Sequence, residues 1–248
     1  MLPLWLYQIP GLRQLQTKLN QVSSYIPPAP RATKTTSRRI LLVHAHPNPT
    51  SFSAAIAQQV EISAQQAGHE LRRISLYDDD AYAPNLTRRE HTLQHATGQD
   101  LDQRELAPEV KRHIQLLQWC DTLVFVYPTW WMNTPAVLKG WIDRTLVHDL
   151  CWSLPTDTTK SLLGTTGLVP RLTHITHIVG ISTYGAPQFI VDWGAGDNGR
   201  RMIAHAVRPI LSPHATVAWL GLYGMDDTTI AQRTDFLQRV DEMVVEEL

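Results

Sequence analysis

The chain has 248 residues, 43% hydrophobic and 18% charged, which suits one large globular domain, or one domain with an extension, built on a sizeable core. A formal net charge of -1 removes any global electrostatic argument for nucleic acid or an anionic membrane as a partner. Cys120 and Cys151 form neither a CxxC pair nor a disulfide framework, which fits a reducing, cytoplasmic setting, and no apolar run approaches the roughly 20 residues of a spanning helix.

The first 38 residues stand apart. They contain no Asp or Glu; the first acidic residue is Glu61. Leu12, Leu15, Leu19 and Val22 fall at helical spacing after Pro10, and the Pro- and Thr-rich stretch from Ile26 to Ser37 reads as a linker or an extended arm. Residues 1–38 are thus expected to form an amphipathic extension, with a helix packing on its own domain or on a partner subunit. Membrane docking and organelle targeting are the alternatives for such an acid-poor start.

From residue 39 strand and helix patterns alternate. Residues 39–45 are a short apolar run, as in a strand buried on both faces. Residues 51–67 carry Phe52, Ala55, Ile56, Val60 and Ala64 at helical spacing, with Gly68 as a stop. A second strand is expected over 70–76, and a polar irregular stretch with one short helix near Thr87 follows. A helix over 107–119 leads to a third strand over 122–127, and a helix over 134–147 carries Pro135 in its first turn, where proline is tolerated. A fourth strand over 174–181, a helix over 199–211, a fifth strand over 215–222 and a helix over 228–247 complete the pattern. The expected fold class is α/β, a doubly wound sheet of five parallel strands in the order 2-1-3-4-5, with ligands at the carboxyl ends of strands one and three.

Three loops at that edge can carry chemistry. The segment HAHPNPTSFS at 44–53 ends a buried strand and opens a helix. The N–H groups of that helix and the hydroxyls of Thr50, Ser51 and Ser53 can hold a phosphate, with His46 adding a donor; a plain helix cap with a buried histidine is the alternative. The segment YPTWWMNTP at 127–135 places two adjacent tryptophans after strand three, where they suit a flat heterocycle, a core position or a dimer contact. The segment GISTYGAP at 180–187 adds hydroxyls and amides to the same crevice. It lacks the second glycine of a hydrolase elbow, because Tyr184 stands there. The sequence GAGDNG at 194–199 spells a dinucleotide fingerprint but comes after strand four and leads to no acid at the end of the next strand, so it reads as a helix-entry loop. His44, His46, His174 and His177 supply no ordered metal set; alternation along strand four puts the last two on opposite faces.

These motifs resemble those of the NAD(P)H:quinone reductases with a flavodoxin-like fold. HPNPTSFS at 46–53 is similar to the family's H-x-x-x-[ST]-S-F-[NS] segment. YPTWWMNTPAVLKGWIDR at 127–144 is similar to its [FY]-P-x-x-W-[FY]-x-x-P-A-x-L-K-G-W-x-[DE]-R block, and STYG at 182–185 falls where the family has a T-T-x-G turn. The resemblance covers about residues 39–225. It implies that residues 39–248 form a flavin-binding domain holding FMN or FAD, with His46, Ser51, Phe52 and Ser53 on the flavin phosphates. It places Pro128, Thr129, Trp130, Trp131 and Met132 along the isoalloxazine and ribityl chain, and Ser182, Thr183, Tyr184 and Gly185 at the ring's polar edge. It further implies a homodimer and ping-pong hydride transfer from NAD(P)H through the flavin to a quinone or similar acceptor. Apart from the resemblance, Tyr184 is the candidate proton donor or substrate contact. The family also includes ancillary subunits of potassium-efflux systems. A flavin-binding regulatory subunit of a membrane transporter, a one-electron flavodoxin-type carrier and a hydrolase using Ser182 are the competing functions. The sequence departs from the family at Leu150-Cys-Trp152, and Phe189 and Trp193 occupy the neighbourhood where mammalian members carry a Tyr and a His. No arginine cluster clearly marks a site for the 2′-phosphate of NADPH.

Overall fold

The computed structural model describes residues 25–26, 37–78, 82–94, 104–155 and 168–248. Its centre is a sheet of β2 (Arg39–His44), β3 (Glu70–Ser75), β4 (Thr122–Thr129), β7 (His177–Tyr184) and β8 (Thr216–Tyr223), all parallel and ordered β3-β2-β4-β7-β8. Counted along these five strands the order is 2-1-3-4-5, as expected. A sixth strand, β1 (Tyr25–Ile26), pairs antiparallel with β8, with Tyr25 opposite Leu220 and Ile26 opposite Trp219. The remainder of the expected N-terminal helix and linker up to residue 36 lies outside the described residues.

Alternation along the strands sends successive side chains to opposite faces, and each face is covered. On one side Ile40, Leu42, Val124, Val126, Val179 and Ile181 pack against α1 (Phe52–Gln66) and the C-terminal helix α6 (Ile230–Glu247) through Ile56, Val60, Phe236 and Val240. On the other, Leu41, Val43, Leu123, Phe125 and Ile178 meet α3 (Pro108–Trp119) and α4 (Ala136–Thr145) through Leu117, Leu138 and Trp141. Burial on both faces explains why β2, β4 and β7 read as continuous apolar runs. The caps follow local chemistry: Ser51 accepts from the Ala54 N–H, and Thr229 forms a reciprocal capping box with Gln232. Thr87 and Glu90 make the same exchange at α2 (Arg88–Gln94), the short helix expected near Thr87.

Two expectations shift, and one element is new. The fourth parallel strand, β7, starts three residues later than its apolar pattern indicated. A turn closed by Ile175 N–H to the Leu172 carbonyl holds the chain back, and His174 turns its Nε2 to the Leu117 carbonyl. His174 is therefore not a strand residue, while Ser182, Thr183 and Tyr184 are, paired with Tyr127, Pro128 and Thr129. The helix expected over 199–211 is cut into α5 (Asn198–Met202), a wide π-type turn over Ile203–Val207 and a 3-10 turn over Arg208–Ile210, where Pro209 has no N–H to continue the ladder. A two-residue ribbon of β5 (Trp152–Ser153) and β6 (Val169–Pro170) has no periodicity long enough to be read from sequence.

One glycine shows how tightly the sheet is covered. A Cβ on Gly180 would lie 2.0 Å from Cζ3 of Trp219, so the indole lies across the bare backbone of the neighbouring strand.

Candidate active site

The carboxyl ends of β2, β4 and β7 are adjacent, and the three loops that follow them meet there. After β2 the chain turns through residues 45–51. Asn48 organises this turn: its Oδ1 accepts from the Thr50 N–H at 2.9 Å and from the Thr50 hydroxyl at 2.8 Å, and its own N–H donates to His46 Nδ1 at 3.0 Å. Helix geometry leaves the N–H groups of Phe52 and Ser53 without intrahelical acceptors, and α1 has no acidic residue in its first turn. The positive end of a fifteen-residue helix thus faces the turn uncompensated. His46 is half-buried, and burial pulls its pKa below the ordinary imidazole value, so its ring is neutral at pH 7.

Behind this turn lies His44, whose side chain is buried. Its Nδ1 is 3.1 Å from Arg73 Nη2, and Arg73 donates in turn to Glu61 at 3.1 Å. A guanidinium can only donate, so His44 Nδ1 is the acceptor and the proton sits on Nε2, 3.4 Å from Ser53 Oγ. Burial first, then the Arg73 charge, pushes His44 down to about 4. The imidazole stays neutral and links Arg73 to the start of α1.

After β4 the backbone makes an unusual turn. Trp130 and Asn133 exchange two backbone hydrogen bonds of 3.0 Å, leaving Trp131 and Met132 as the central pair, both at positive φ (50° and 59°). This is the φ pattern of a type I′ turn, a conformation that favours Asn and Gly. Two bulky residues occupy it here, and Trp131 is 100% exposed at its tip. Trp130 leans toward His46, with ring centroids 5.9 Å apart, so the first and second loops touch.

The third loop joins through hydroxyls and rings. Thr129 Oγ1 and Ser182 Oγ are 2.9 Å apart on neighbouring strands. Thr183 is buried on the opposite face, and Gly185 lies just beyond the strand, with Asp226 Oδ2 3.4 Å from the place its Cβ would take. Tyr184 is 1% exposed and stacks on Tyr223 at 4.4 Å. Its hydroxyl donates to Asp197, with both carboxylate oxygens at 3.2 Å, and accepts from Trp219 Nε1 at 3.1 Å. Burial, then Tyr223 and Asp197, raises its pKa well above the ordinary phenol value. The phenol expected to give a proton or touch substrate is thus turned into the domain. Met132 packs against the Tyr184–Tyr223 stack, and Asn198 Nδ2 donates to the Met132 carbonyl at 3.1 Å.

The structure thus brings all three expected constellations to one sheet edge. Sequence reading missed Asn48, Tyr223, Asp197 and Asn198. The last two belong to GAGDNG, which enters a five-residue helix with Gly196 at φ 79° and Asp197 at φ 41°. Arg144, which closes the Tyr127–Arg144 motif, lies away from this edge. It donates to Glu90 at 2.6 Å and Glu109 at 2.8 Å in a nearly dry site, so its part is structural. Among the described residues no group of three or more His, Cys, Asp or Glu side chains is placed to hold a metal, and no helix is long and apolar enough to cross a membrane.

The chain matches the flavodoxin-like fold family over residues 38–242 and belongs to it. It is 35% identical over 116 residues to the uncharacterized NAD(P)H oxidoreductase YcaK of Escherichia coli, a match covering 47% of this chain and 56% of that protein. It is 29% identical over 129 residues to NAD(P)H dehydrogenase [quinone] 1 of Rattus norvegicus, covering 48% and 47%. The match thus spans about half the length of these relatives. Among solved structures, Smu.1420 from Streptococcus mutans superposes with a TM-score of 0.67 at 28% identity, covering 84% of this chain and 98% of that one.

Proposed function

We propose that the chain is a flavin-dependent NAD(P)H oxidoreductase that delivers hydride to a quinone or similar acceptor by a ping-pong cycle. The observation that carries this reading is the meeting of two features at the edge of a flavodoxin-like sheet. One is the uncompensated helix start after His46; the other is the Trp130–Asn133 turn with its exposed indole. A phosphate needs the first and a flat heterocycle uses the second. The named activities of YcaK and the rat dehydrogenase point the same way.

The residues present fit a flavin, FMN or FAD. The N–H groups of Phe52 and Ser53, the Thr50 and Ser51 hydroxyls and His46 would hold its phosphate. Pro128 and Thr129 would border the ribityl chain, with Trp130, Trp131 and Met132 against the ring. The backbone of residues 182–185 would meet its polar edge, since the Ser182 side chain is buried against Thr129 and Thr183 points to the opposite face. When bound, the flavin supplies the hydride acceptor and donor. The chain's own work is to bind, orient and keep water out. Thr129 and Ser182 fix each other's hydroxyls, and Tyr184, through Asp197 and Trp219, holds the floor behind Met132 in place. An indole at 100% exposure beside the site supports a homodimer in which a second copy covers Trp131.

The test is a visible spectrum of the purified chain with mass identification of the released cofactor, followed by NADH and NADPH oxidation against a panel of quinones. A colourless protein that cannot be reconstituted with FMN or FAD, and that oxidises neither nucleotide, refutes the proposal.

A further inference from the structure

We propose that a cavity beside the Tyr184–Tyr223 stack binds the 2′-phosphorylated adenosine half of NADPH, so that the chain prefers NADPH to NADH. This rests on the oxidoreductase reading above and names the donor for it.

The cavity lies between residues 192–205 and β8 and measures about 360 Å³, within the range of small-molecule sites. Val217, half-buried on β8, gives it an apolar patch for a base to rest against, and Trp219 beside it is 1% exposed. Arg200, Arg201 and His205 line it from the opposing segment, alongside Asp192 and Asp197. Two guanidiniums on one wall are the chemistry for a phosphate dianion, which each can grip through paired N–H donors. Among the described residues neither guanidinium makes a hydrogen bond or a contact ion pair, so both are available. Gly196 clears space for one of them: a Cβ there would sit 3.2 Å from Arg201 Nη1.

Asp197 offsets part of the Arg200 charge, which pulls the Asp197 pKa down against the larger upward effect of burial. Asp197 is buried and spoken for, accepting from the Tyr184 hydroxyl and, at 3.4 Å, from the Arg200 N–H. Asp192 is exposed and remains as an acceptor for a ribose hydroxyl. Position joins the cavity to the redox site. Asp197 lines the cavity and holds Tyr184, while the next residue, Asn198, holds the Met132 carbonyl in the loop proposed to face the flavin. A dinucleotide whose nicotinamide reached the flavin beside that loop would pass residues 197–198 on its way to the arginines. The Arg200–Arg201 pair is visible in the sequence, but nothing there shows that it lines a cavity against β8.

The experiment uses the full chain loaded with flavin. Calorimetric binding of 2′,5′-ADP and of 5′-AMP is compared for the native protein and for the Arg200→Gln/Arg201→Gln double variant. The native chain is expected to bind 2′,5′-ADP at least ten-fold more tightly than 5′-AMP, and the double variant to bring the two within about two-fold. The ratio of kcat/KM for NADPH to that for NADH should fall ten-fold or more, and Arg201→Lys, which keeps the charge without the fork, should lose only part of it. Equal affinities in the native chain, or an unchanged ratio in a double variant with native melting behaviour, overturns the inference. If the double variant does not fold, the native comparison decides alone, together with competition by 2′,5′-ADP against NADPH. A yellow, active chain with no preference refutes the cavity assignment and leaves the oxidoreductase reading standing. A flavin-free chain that still prefers 2′,5′-ADP through these arginines does the reverse.

Discussion

Replacing Trp131 by Asn should stabilise the flavin-free protein while weakening flavin binding. Trp131 sits at φ 50°, in the left-handed region, where a side chain costs roughly 1–2 kcal/mol unless it is Gly, Asn or Asp. Its indole is 100% exposed, so the substitution gives up no packing within the chain. Asn tolerates this conformation and suits a central position of a type I′ turn. The expected gain is about 1 kcal/mol, a rise in Tm of about 2–4 °C for a chain of this size. Loss of an aromatic contact worth roughly 0.5–1.5 kcal/mol should at the same time weaken flavin binding about three- to ten-fold. Thermal unfolding of dilute apoprotein gives the first quantity and fluorescence titration with FMN the second. A lower Tm in the apoprotein would show that the indole is covered and that its packing outweighs the backbone strain. Unchanged flavin affinity would show that the strained turn does not serve the cofactor.

Three other substitutions probe different parts of the structure. Arg144→Met leaves Glu90 and Glu109 facing each other in a nearly dry site and should cost about 3–5 kcal/mol in urea unfolding; a loss below about 1 kcal/mol contradicts the assignment. Gly199→Ala puts a Cβ 2.6 Å from the buried Tyr127 hydroxyl and should cost about 1–3 kcal/mol by the same measurement, with a neutral result showing that α5 moves freely. The third concerns pH. His44, held at about 4 by burial and then Arg73, and His177, held at about 4 by burial and then Arg38, both titrate at 6.5 once unfolded. The unfolded chain therefore binds more protons than the native one as pH drops. The stability they confer is complete above pH 6.5 and declines as pH falls from 6.5 toward 4. His44→Gln should flatten that decline in urea midpoints taken across the window, and an unaltered slope counts against a neutral buried His44.

The legibility of this chain follows the reach of its interactions. Strands buried on both faces and helices with one apolar stripe write their pattern locally, which is why β2, α1, β4 and α6 were found nearly in place. The start of β7 was misplaced because His174 to Thr176 carry the same β-prone character as the strand. The turn that excludes them depends on Leu117 and Leu172, which are distant in sequence or on no shared pattern. The site divides the same way. His46 to Ser53 and Trp130 to Met132 announced themselves because each lies directly after a strand. Asp197 and Tyr223 did not, because their relation to Tyr184 is made across the fold. The positive φ of Trp131 and Met132 was also hidden, since neither residue type signals it.

The pairing of β1 with β8 joins segments far apart in sequence, and Arg38 makes a second long-range tie, to the carbonyl of Leu248. During synthesis Tyr25 and Ile26 emerge long before their partners Leu220 and Trp219. The arm must wait, unpaired, while the rest of the sheet assembles, because closing so long a loop is repaid only when β8 is in place. Chains truncated beyond Ile26 would present the free N–H and C=O groups of an apolar edge to one another, and so carry a risk of strand-to-strand association that the intact chain covers with two of its own residues.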